Sequence, residues 1–400
     1  MSRFALAFPA FHRRGGVERI LVEVAHDLVA HDHEVHLFGH DFDADTLPDA
    51  AVVHAVAGND RLGLMRTLRF ADRGQAAIDA TGLAFDRVAT CGVLAPAGSV
   101  IWAQSVHAAW LEIGRRDGSL KDRLIRRLNP FHPAILRRER AVFGGRQYAH
   151  VVALTDRVKA DLMRFYGVPA DDITVIPNGF APGEFNPSNR AEKRDAMRHS
   201  LGITNDERAV VFVANEAKRK GLVPLMKAIA QLNDARLKLL AVGRLDAVSL
   251  SKTADELGLA GRVTFTGPSP TVADYYAAAD AFALPTIYEA WGLVIVEAMA
   301  CGVPALTSKL AGAAAAVQPE VNGDLLDDPA DIDEIADKLG RLLDRPHDPQ
   351  AVSASVQPYR WDRVLRRFEQ VLLDSPSPSV DPAVPAPAPA QPAHAQPQPA

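Results

Sequence analysis

Four hundred residues, 48% of them hydrophobic, are too many for one typical core and supply apolar surface for two. A net charge of −5 argues against general nucleic-acid binding, and two cysteines, Cys91 and Cys301, make neither a disulfide framework nor a Cys-rich metal spacing, so a reducing cytoplasm is the expected compartment. The apolar run in MSRFALAFPAFHRRGG is short for a signal peptide, with its charges on the wrong side, and no window approaches the roughly 18 uninterrupted apolar residues of a membrane span.

In chain order, strands alternate with helices. Phe4–Phe8 is an apolar run followed by a basic loop, His12-Arg-Arg-Gly-Gly-Val-Glu-Arg19, after which Val17, Ile20, Leu21, Val24, Leu28 and Val29 fall at helical spacing. Gly15 and Gly16 let the backbone approach a ligand at a helix N-terminus that favours an anion; an ordinary tight turn accounts for them as well. Arg13 and Arg14 are either solvated or placed to attract an anionic partner. Further strands are expected at Val35–Phe38, Ala51–Val56, Val88–Cys91, Val100–Ala103, His150–Leu154 and Ile173–Ile176. His107 follows the strand ending at Ala103 and reads as a packed or capping residue, or as a ligand contact.

From Arg115 to Arg146 there are ten Lys/Arg against three acids, interleaved with Leu120, Leu124, Ile125, Leu128, Phe131, Ile135 and Leu136. Such a segment lies on an anionic membrane face, or it is an ordinary helical surface with its apolar side turned inward. A polar region around Ala181 to Ser200 separates this half from a second series of strands at Ala209–Ala214, Leu237–Val242, Val263–Thr266, Ala281–Leu284 and Val303–Thr307. Apolar strands separated by helices indicate parallel sheets covered on both faces, and two such series predict two doubly wound domains around a cleft. Ligands of open α/β sheets gather at the carboxyl ends of strands.

Two such loops carry charge in the second half. After Val210–Val213 comes Ala214-Asn-Glu-Ala-Lys-Arg-Lys-Gly221, three consecutive cations that either neutralise an anionic ligand or form a solvated run. Pro285 to Ser308 reads PTIYEAWGLVIVEAMACGVPALTS, with Glu289 and Glu297 eight positions apart and Glu297 the only charge between Ala290 and Ser308. Leu293 to Ala300 reads as a short apolar helix that Gly302 stops and Pro304 confirms. A carboxylate there costs several kcal/mol unless it is hydrogen-bonded. A ribose diol is one partner; a structural ion pair with a distant Arg or Lys is the other. Trp361, Val364, Leu365, Phe368, Val371 and Leu372 mark a last amphipathic helix, and past Asp374 a Pro/Ala-rich stretch reads as a disordered tail.

The segment Pro285–Ser308 resembles, over more than twenty consecutive positions, the E-x7-E signature and following EAMAxGxP of the retaining glycosyltransferases of family 4. The resemblance runs from about residue 3 to 373. It implies α/β architecture of the GT-B kind, two Rossmann-like doubly wound domains facing a central cleft: 1–185 on the acceptor side, 186–356 binding the nucleotide sugar, 357–373 returning to the first domain, and the tail 374–400. It implies that Glu289 meets the donor sugar, that Glu297 holds the ribose, and that backbone N–H groups of Ala290, Trp291, Gly292 and Leu293 meet the diphosphate. Gly15 and Gly16 are expected beside the diphosphate and acceptor, and His107 close to the donor sugar, so that Glu289 and His107 are the catalytic candidates. Lys220-Gly221 matches the lysine–glycine pair of the family's phosphate motif. Asn215 stands near where that motif has arginine, and Arg219 substitutes for it, as in the lipopolysaccharide core glucosyltransferases, which the run Leu128-Asn-Pro-Phe-His-Pro also resembles.

The implied reaction is transfer of a hexose, glucose from UDP-glucose in first place, to a cell-envelope glycan or glycolipid such as lipopolysaccharide core. The partners are then a nucleotide sugar and a glycan or lipid-linked acceptor, with no nucleic acid, and with 115–146 a candidate contact to the cytoplasmic face of the inner membrane. No cofactor or metal is expected; Asp41-Phe-Asp-Ala-Asp45 looks superficially like the metal-binding DxD of a different transferase fold and reads better as a solvated loop. The alternatives are a GDP-mannose-dependent mannosyltransferase of exopolysaccharide assembly, a nucleotide-sugar 2-epimerase, and a non-catalytic GT-B scaffold.

Overall fold

A computed structural model describes residues 1–13, 15–58, 68–94, 96–117 and 129–375. The first half forms strands β1 (Arg3–Ala7), β3 (Glu34–Gly39), β5 (Val52–Ala55), β6 (Arg87–Cys91), β7 (Ser99–Ala103), β8 (Tyr148–Ala153) and β9 (Ile173–Val175), with a small pair β2 (Ala10–Phe11) and β4 (Asp41–Phe42) beside them. The second half forms β10 (Arg208–Val213), β11 (Leu237–Val242), β12 (Val263–Gly267), β13 (Ala281–Leu284), β14 (Ala305–Ser308) and β15 (Gly323–Leu326). The sheets run β5-β3-β1-β6-β7-β8-β9 and β12-β11-β10-β13-β14-β15, with every neighbouring pair parallel.

Parallel strands need crossovers, and the helices that supply them cover both faces, which is why the central strands are apolar throughout. All five residues of β7 and all four of β13 are buried. At the sheet edge the pattern fails: Val52 and Val53 of β5 are 44% and 47% exposed. Strand order reverses between β1 and β6 in the first sheet and between β10 and β13 in the second, the positions at which open α/β sheets bind their ligands.

Two expectations need correction. The strand expected from Val303 begins at Ala305, because Gly302 takes φ +78° as the helix stop and Pro304 has no N–H for a ladder. The edge strand β15 was not expected at all: Gly-Asp-Leu-Leu is too short and mixed to show a period.

The chain passes between the domains twice, side by side. Phe180 donates to Tyr359 O at 2.9 Å, and Trp361 donates back to Phe180 O at 3.0 Å. Gly179 is required there, since a Cβ would lie 2.8 Å from Tyr359 O. The last helix, Trp361–Asp374, then packs on the first helix, Gly16–Ala30. Glu369 holds it there by accepting from His33 Nε2 at 2.8 Å and pairing with His31 Nδ1 at 3.0 Å. Asp27, His31 and Glu369 bring ligand-type atoms within 4.8 Å of one another; this group ties two helices and lies on the helical layer. The tail from residue 376 and residues 118–128 of the basic segment lie outside the described residues.

Candidate functional site

The second sheet's reversal is built by two loops laced together. Gly221 takes φ +79°, and a Cβ there would sit 2.0 Å from Pro285 O, so the loop after β10 touches the loop after β13 only because this residue is glycine. Ile287 N donates to Arg219 O at 3.0 Å, and Arg219 Nη1 donates to Tyr288 O at 2.7 Å. Arg219 also pairs with Glu216 at 2.9 Å and lies 3.9 Å from Glu289. Lys220 Nζ sits directly against Glu289 Oε2. Burial, and then the adjacent Arg219 guanidinium, pull the Lys220 ammonium down to about 7, and the Glu216 carboxylate opposes the fall.

Glu289 is held from the other side by backbone. Gly312 N donates to Glu289 O at 2.9 Å and Ala313 N to Trp291 O at 2.8 Å. Gly292, at φ +99°, then turns the chain into the helix Leu293–Ala300, which starts without a side-chain cap. Its end is a Schellman motif: Gly302 N bonds Met299 O at 2.8 Å and Val303 N bonds Ala298 O at 3.0 Å. Trp291 is buried, its ring 5.4 Å from Tyr359, and its Nε1 has no hydrogen-bond partner among the described residues.

Glu297 is 4% exposed, and its partner comes from the other domain. Arg19 Nη1, on the first helix, donates to Glu297 Oε1 at 3.1 Å. The ion-pair reading of Glu297 thus has its cation. Burial raises the Glu297 carboxyl and Arg19 opposes the rise. Arg19 also reaches Glu184 at 3.5 Å and Glu23 at 3.9 Å. A second link crosses nearby: Arg157 lies 5.2 Å above the Tyr288 ring and donates to Leu310 O at 3.4 Å.

In the first domain Gly15 precedes the first helix as its N-cap without a side-chain cap bond, Gly16 begins it with open space at its Cβ position, and exposed Arg13 pairs with Glu23 at 3.1 Å. Arg14 lies outside the described residues. His107 starts the helix His107–Asp117; its Nε2 is 3.0 Å from His132 Nδ1 and its ring stacks on Trp110 at 5.5 Å. Burial, then His132, push the imidazole down to about 4. Glu139, 2% exposed, caps that helix from a neighbouring one by accepting from His107 N at 2.6 Å and Ala108 N at 3.2 Å. In the described part of the basic segment, Ile135, Val142 and Phe143 are buried, which turns its apolar side inward.

The structure therefore brings Glu289, Lys220, Arg219 and the turn Ala290–Leu293 together, and sets Glu297 against the first domain. It gives His107 partners within the first domain. Sequence reasoning missed Arg19, Arg157, Glu139 and the buried Asn178, whose Nδ2 bonds Gln104 Oε1 at 3.0 Å. Arg19 carried a signal as the cation in the first turn after Gly15-Gly16, and Asn178 as part of the turn Val175-Ile-Pro-Asn-Gly179, which is widespread in the family the sequence resembles.

Two parallel doubly wound sheets whose reversals meet across one cleft define the GT-B class. Sequence families agree: residues 14–183 match the model for Glycosyltransferase Family 4, and residues 193–376 the model for Glycosyl transferases group 1. Between them these span nearly the whole described chain, which belongs among the GT-B glycosyltransferases of family 4 type. A D-inositol 3-phosphate glycosyltransferase of Xylanimonas cellulosilytica is 37% identical over 203 residues, 48% of each chain. The chain spans about half the length of the curated relatives it matches. In fold it is similar to WaaG, a glycosyltransferase involved in lipopolysaccharide biosynthesis, with TM-score 0.73 and 22% identity over 92% of this chain and 95% of that one. Anabaena HepE in complex with UDP and glucose gives TM-score 0.68 and 20% identity over 94% and 100%. Among the described residues no helix is long and apolar enough to cross a membrane.

Proposed function

We propose that the chain transfers a hexose from a nucleotide diphosphate sugar to a hydroxyl of a cell-envelope glycan or glycolipid, with retention at the anomeric carbon. The observation that carries this reading is the pairing of Lys220 with Glu289 beside Arg219 at the second sheet's reversal. Arg219 offers fixed positive charge to a departing diphosphate, and Lys220, held down to about 7 in its absence, becomes fully charged beside that anion, whose developing charge is where a transferase gains most. Glu289 meets sugar hydroxyls, Glu297 the ribose diol, and the uncapped turn Ala290–Leu293 offers backbone N–H groups to phosphate. The acceptor oxygen forms its bond to C1 on the face from which the diphosphate leaves, and its proton passes to the departing phosphate oxygen. His107, neutral near pH 7, serves as a polar contact to the sugar and not as a cation.

The HepE complexes hold UDP and glucose or UDP-glucose, and WaaG acts in lipopolysaccharide biosynthesis, which supports UDP-glucose as donor and a lipopolysaccharide-type acceptor. A phosphorylated polyol acceptor is the second reading, favoured by the curated inositol phosphate relatives. A thermal-shift panel of UDP, GDP and ADP sugars on wild type and Glu297→Ala tests the donor. A ligand at 100-fold over its dissociation constant stabilises by about 2.7 kcal/mol. Stabilisation of wild type alone by one nucleotide series is the expected result; no stabilisation by any series counts against transfer. Proton NMR of the product anomeric centre then tests retention.

A further inference from the structure

The carboxylate assigned above to ribose is not free to meet it. Glu297 is 4% exposed, so a diol reaches it only by moving what covers it, and the polar group in contact is the Arg19 guanidinium at 3.1 Å. Arg19 belongs to the first domain and Glu297 to the second, 278 residues apart in sequence. The same guanidinium has other seats within reach. Its Nη2 is 3.5 Å from Glu184 Oε2, its Nε is 3.9 Å from Glu23 Oε1, and it lies 5.6 Å from the centre of the Phe185 ring. Glu184 is 41% exposed at its side chain, whereas Glu23 is largely buried and already ion-paired with Arg13 at 3.1 Å, so Glu184 is the carboxylate with room to receive the guanidinium.

We propose that Arg19 is a cross-cleft latch that occupies the ribose-binding carboxylate when the cleft is closed and empty, and that nucleotide binding displaces it onto Glu184. This rests on the donor-site reading of Glu297. The exchange leaves neither group without hydrogen-bond partners: the Glu297 carboxylate releases the guanidinium and accepts from two neutral hydroxyls, and the guanidinium moves fully onto Glu184, which it already approaches at 3.5 Å. Glu184 lies beside the first interdomain crossing at Phe180, so the displaced arginine stays at the domain boundary. The consequence for binding is quantitative. A site that is competent in only a fraction of molecules shows an apparent dissociation constant raised by the inverse of that fraction. The latch thus sets nucleotide affinity without touching the nucleotide, and any residue that steadies or loosens it tunes affinity in a known direction.

The test uses the full chain with UDP, GDP and ADP as probes, titrated calorimetrically into wild type, Arg19→Gln, Glu184→Gln and Glu297→Gln, with small-angle scattering of each empty protein. Arg19→Gln should bind the preferred nucleotide about fivefold or more tightly and scatter as a more open particle. Glu184→Gln, which removes the alternative seat, should bind it more weakly. Weaker binding by Arg19→Gln, or affinities unchanged in both variants, would overturn the latch while leaving the donor site intact, provided Glu297→Gln abolishes binding. No binding of any nucleotide to any form would instead overturn the donor-site reading, and the displacement with it. Circular dichroism checks folding; should Arg19→Gln not fold, the sign of the Glu184→Gln effect decides: weaker binding is expected from loss of the alternative seat, whereas tighter binding, as relief of the Glu184 charge on Glu297 alone would give, overturns the latch.

Discussion

The two faces of the cleft are assembled differently. On the second domain, the functional groups come from two loops that adjoin one strand-order reversal and bond to each other: Lys220 to Glu289, Arg219 to Tyr288 O, Ile287 N to Arg219 O. On the first domain, His107 bonds to His132 and stacks on Trp110, while Glu139 fixes its helix, all within that domain. One face is therefore a polar site held by its own backbone. The other is a set of packed side chains, from which Arg19 and Arg157 reach across to the second domain. This contrast separates a face whose polar groups are fixed by loop backbone from a face whose groups are fixed by side-chain packing.

Breaking the backbone-held face should have the largest effect. Lys220→Ala removes the cation against Glu289 and is expected to lower kcat on the order of 10²-fold or more, the usual loss when one fixed donor to a developing charge is deleted. Steady-state kinetics with a nucleotide sugar and an acceptor checks it; a kcat within threefold of wild type, an arbitrary bound set at about half a log unit, would place the diphosphate elsewhere. Gly221→Ala attacks the same face through backbone alone. Its Cβ would meet Pro285 O at 2.0 Å at φ +79°, so a loss of about 1–3 kcal/mol is expected in chemical denaturation, with nucleotide binding weakened in step.

The first-domain face is predicted to show itself through pH. His107 is held at about 4 in the fold against about 6.5 in an unfolded chain. Between these values the unfolded state binds more protons, so stability is fully present above about pH 6.5 and declines as pH falls toward about 4. His107→Phe should flatten that part of a melting-temperature profile; an unchanged slope would assign it to other groups. The smallest effect is expected from Arg157→Ala, which removes one part-exposed cation–π contact across the cleft. A loss of about 0.5–1 kcal/mol in thermal melts sharpens the comparison by showing that this link, unlike Lys220, is not part of the reacting site.

Legibility followed the same division. The helix Leu293–Ala300 was readable to the residue, because a stretch apolar but for Glu297 ends at Gly302, which takes the left-handed stop. The loop from Asn215 to Gly221 was readable as a charged turn after a buried strand. The partner of Glu297 was not. Sequence left it between a sugar hydroxyl and an unseen cation, and Arg19 supplies the cation from a helix where nothing in the apolar spacing marks one polar residue as reaching another domain. Glu139 was counted among the acids of a basic run, where its burial under Tyr166 and the His107 helix has no local signature. Strand β15 was lost because an edge strand of four residues needs no apolar run to pair with β14. The basic run itself divided: its described portion buries Ile135, Val142 and Phe143, which makes it a domain surface first.

The paired crossing at Phe180 and Arg360 has a mechanical meaning. Two covalent connections that exchange backbone hydrogen bonds at 2.9 and 3.0 Å act as adjacent knuckles of one hinge and not as two separate tethers. Shear or twist between the domains would have to pull those strands apart, whereas bending about their common line leaves both bonds intact. Gly179, with Tyr359 O too close for any side chain, keeps the knuckles in contact. Opening and closing of the cleft then follow a single arc, and a group carried on one jaw, such as the Arg19 guanidinium, returns to the same place on the other at every stroke.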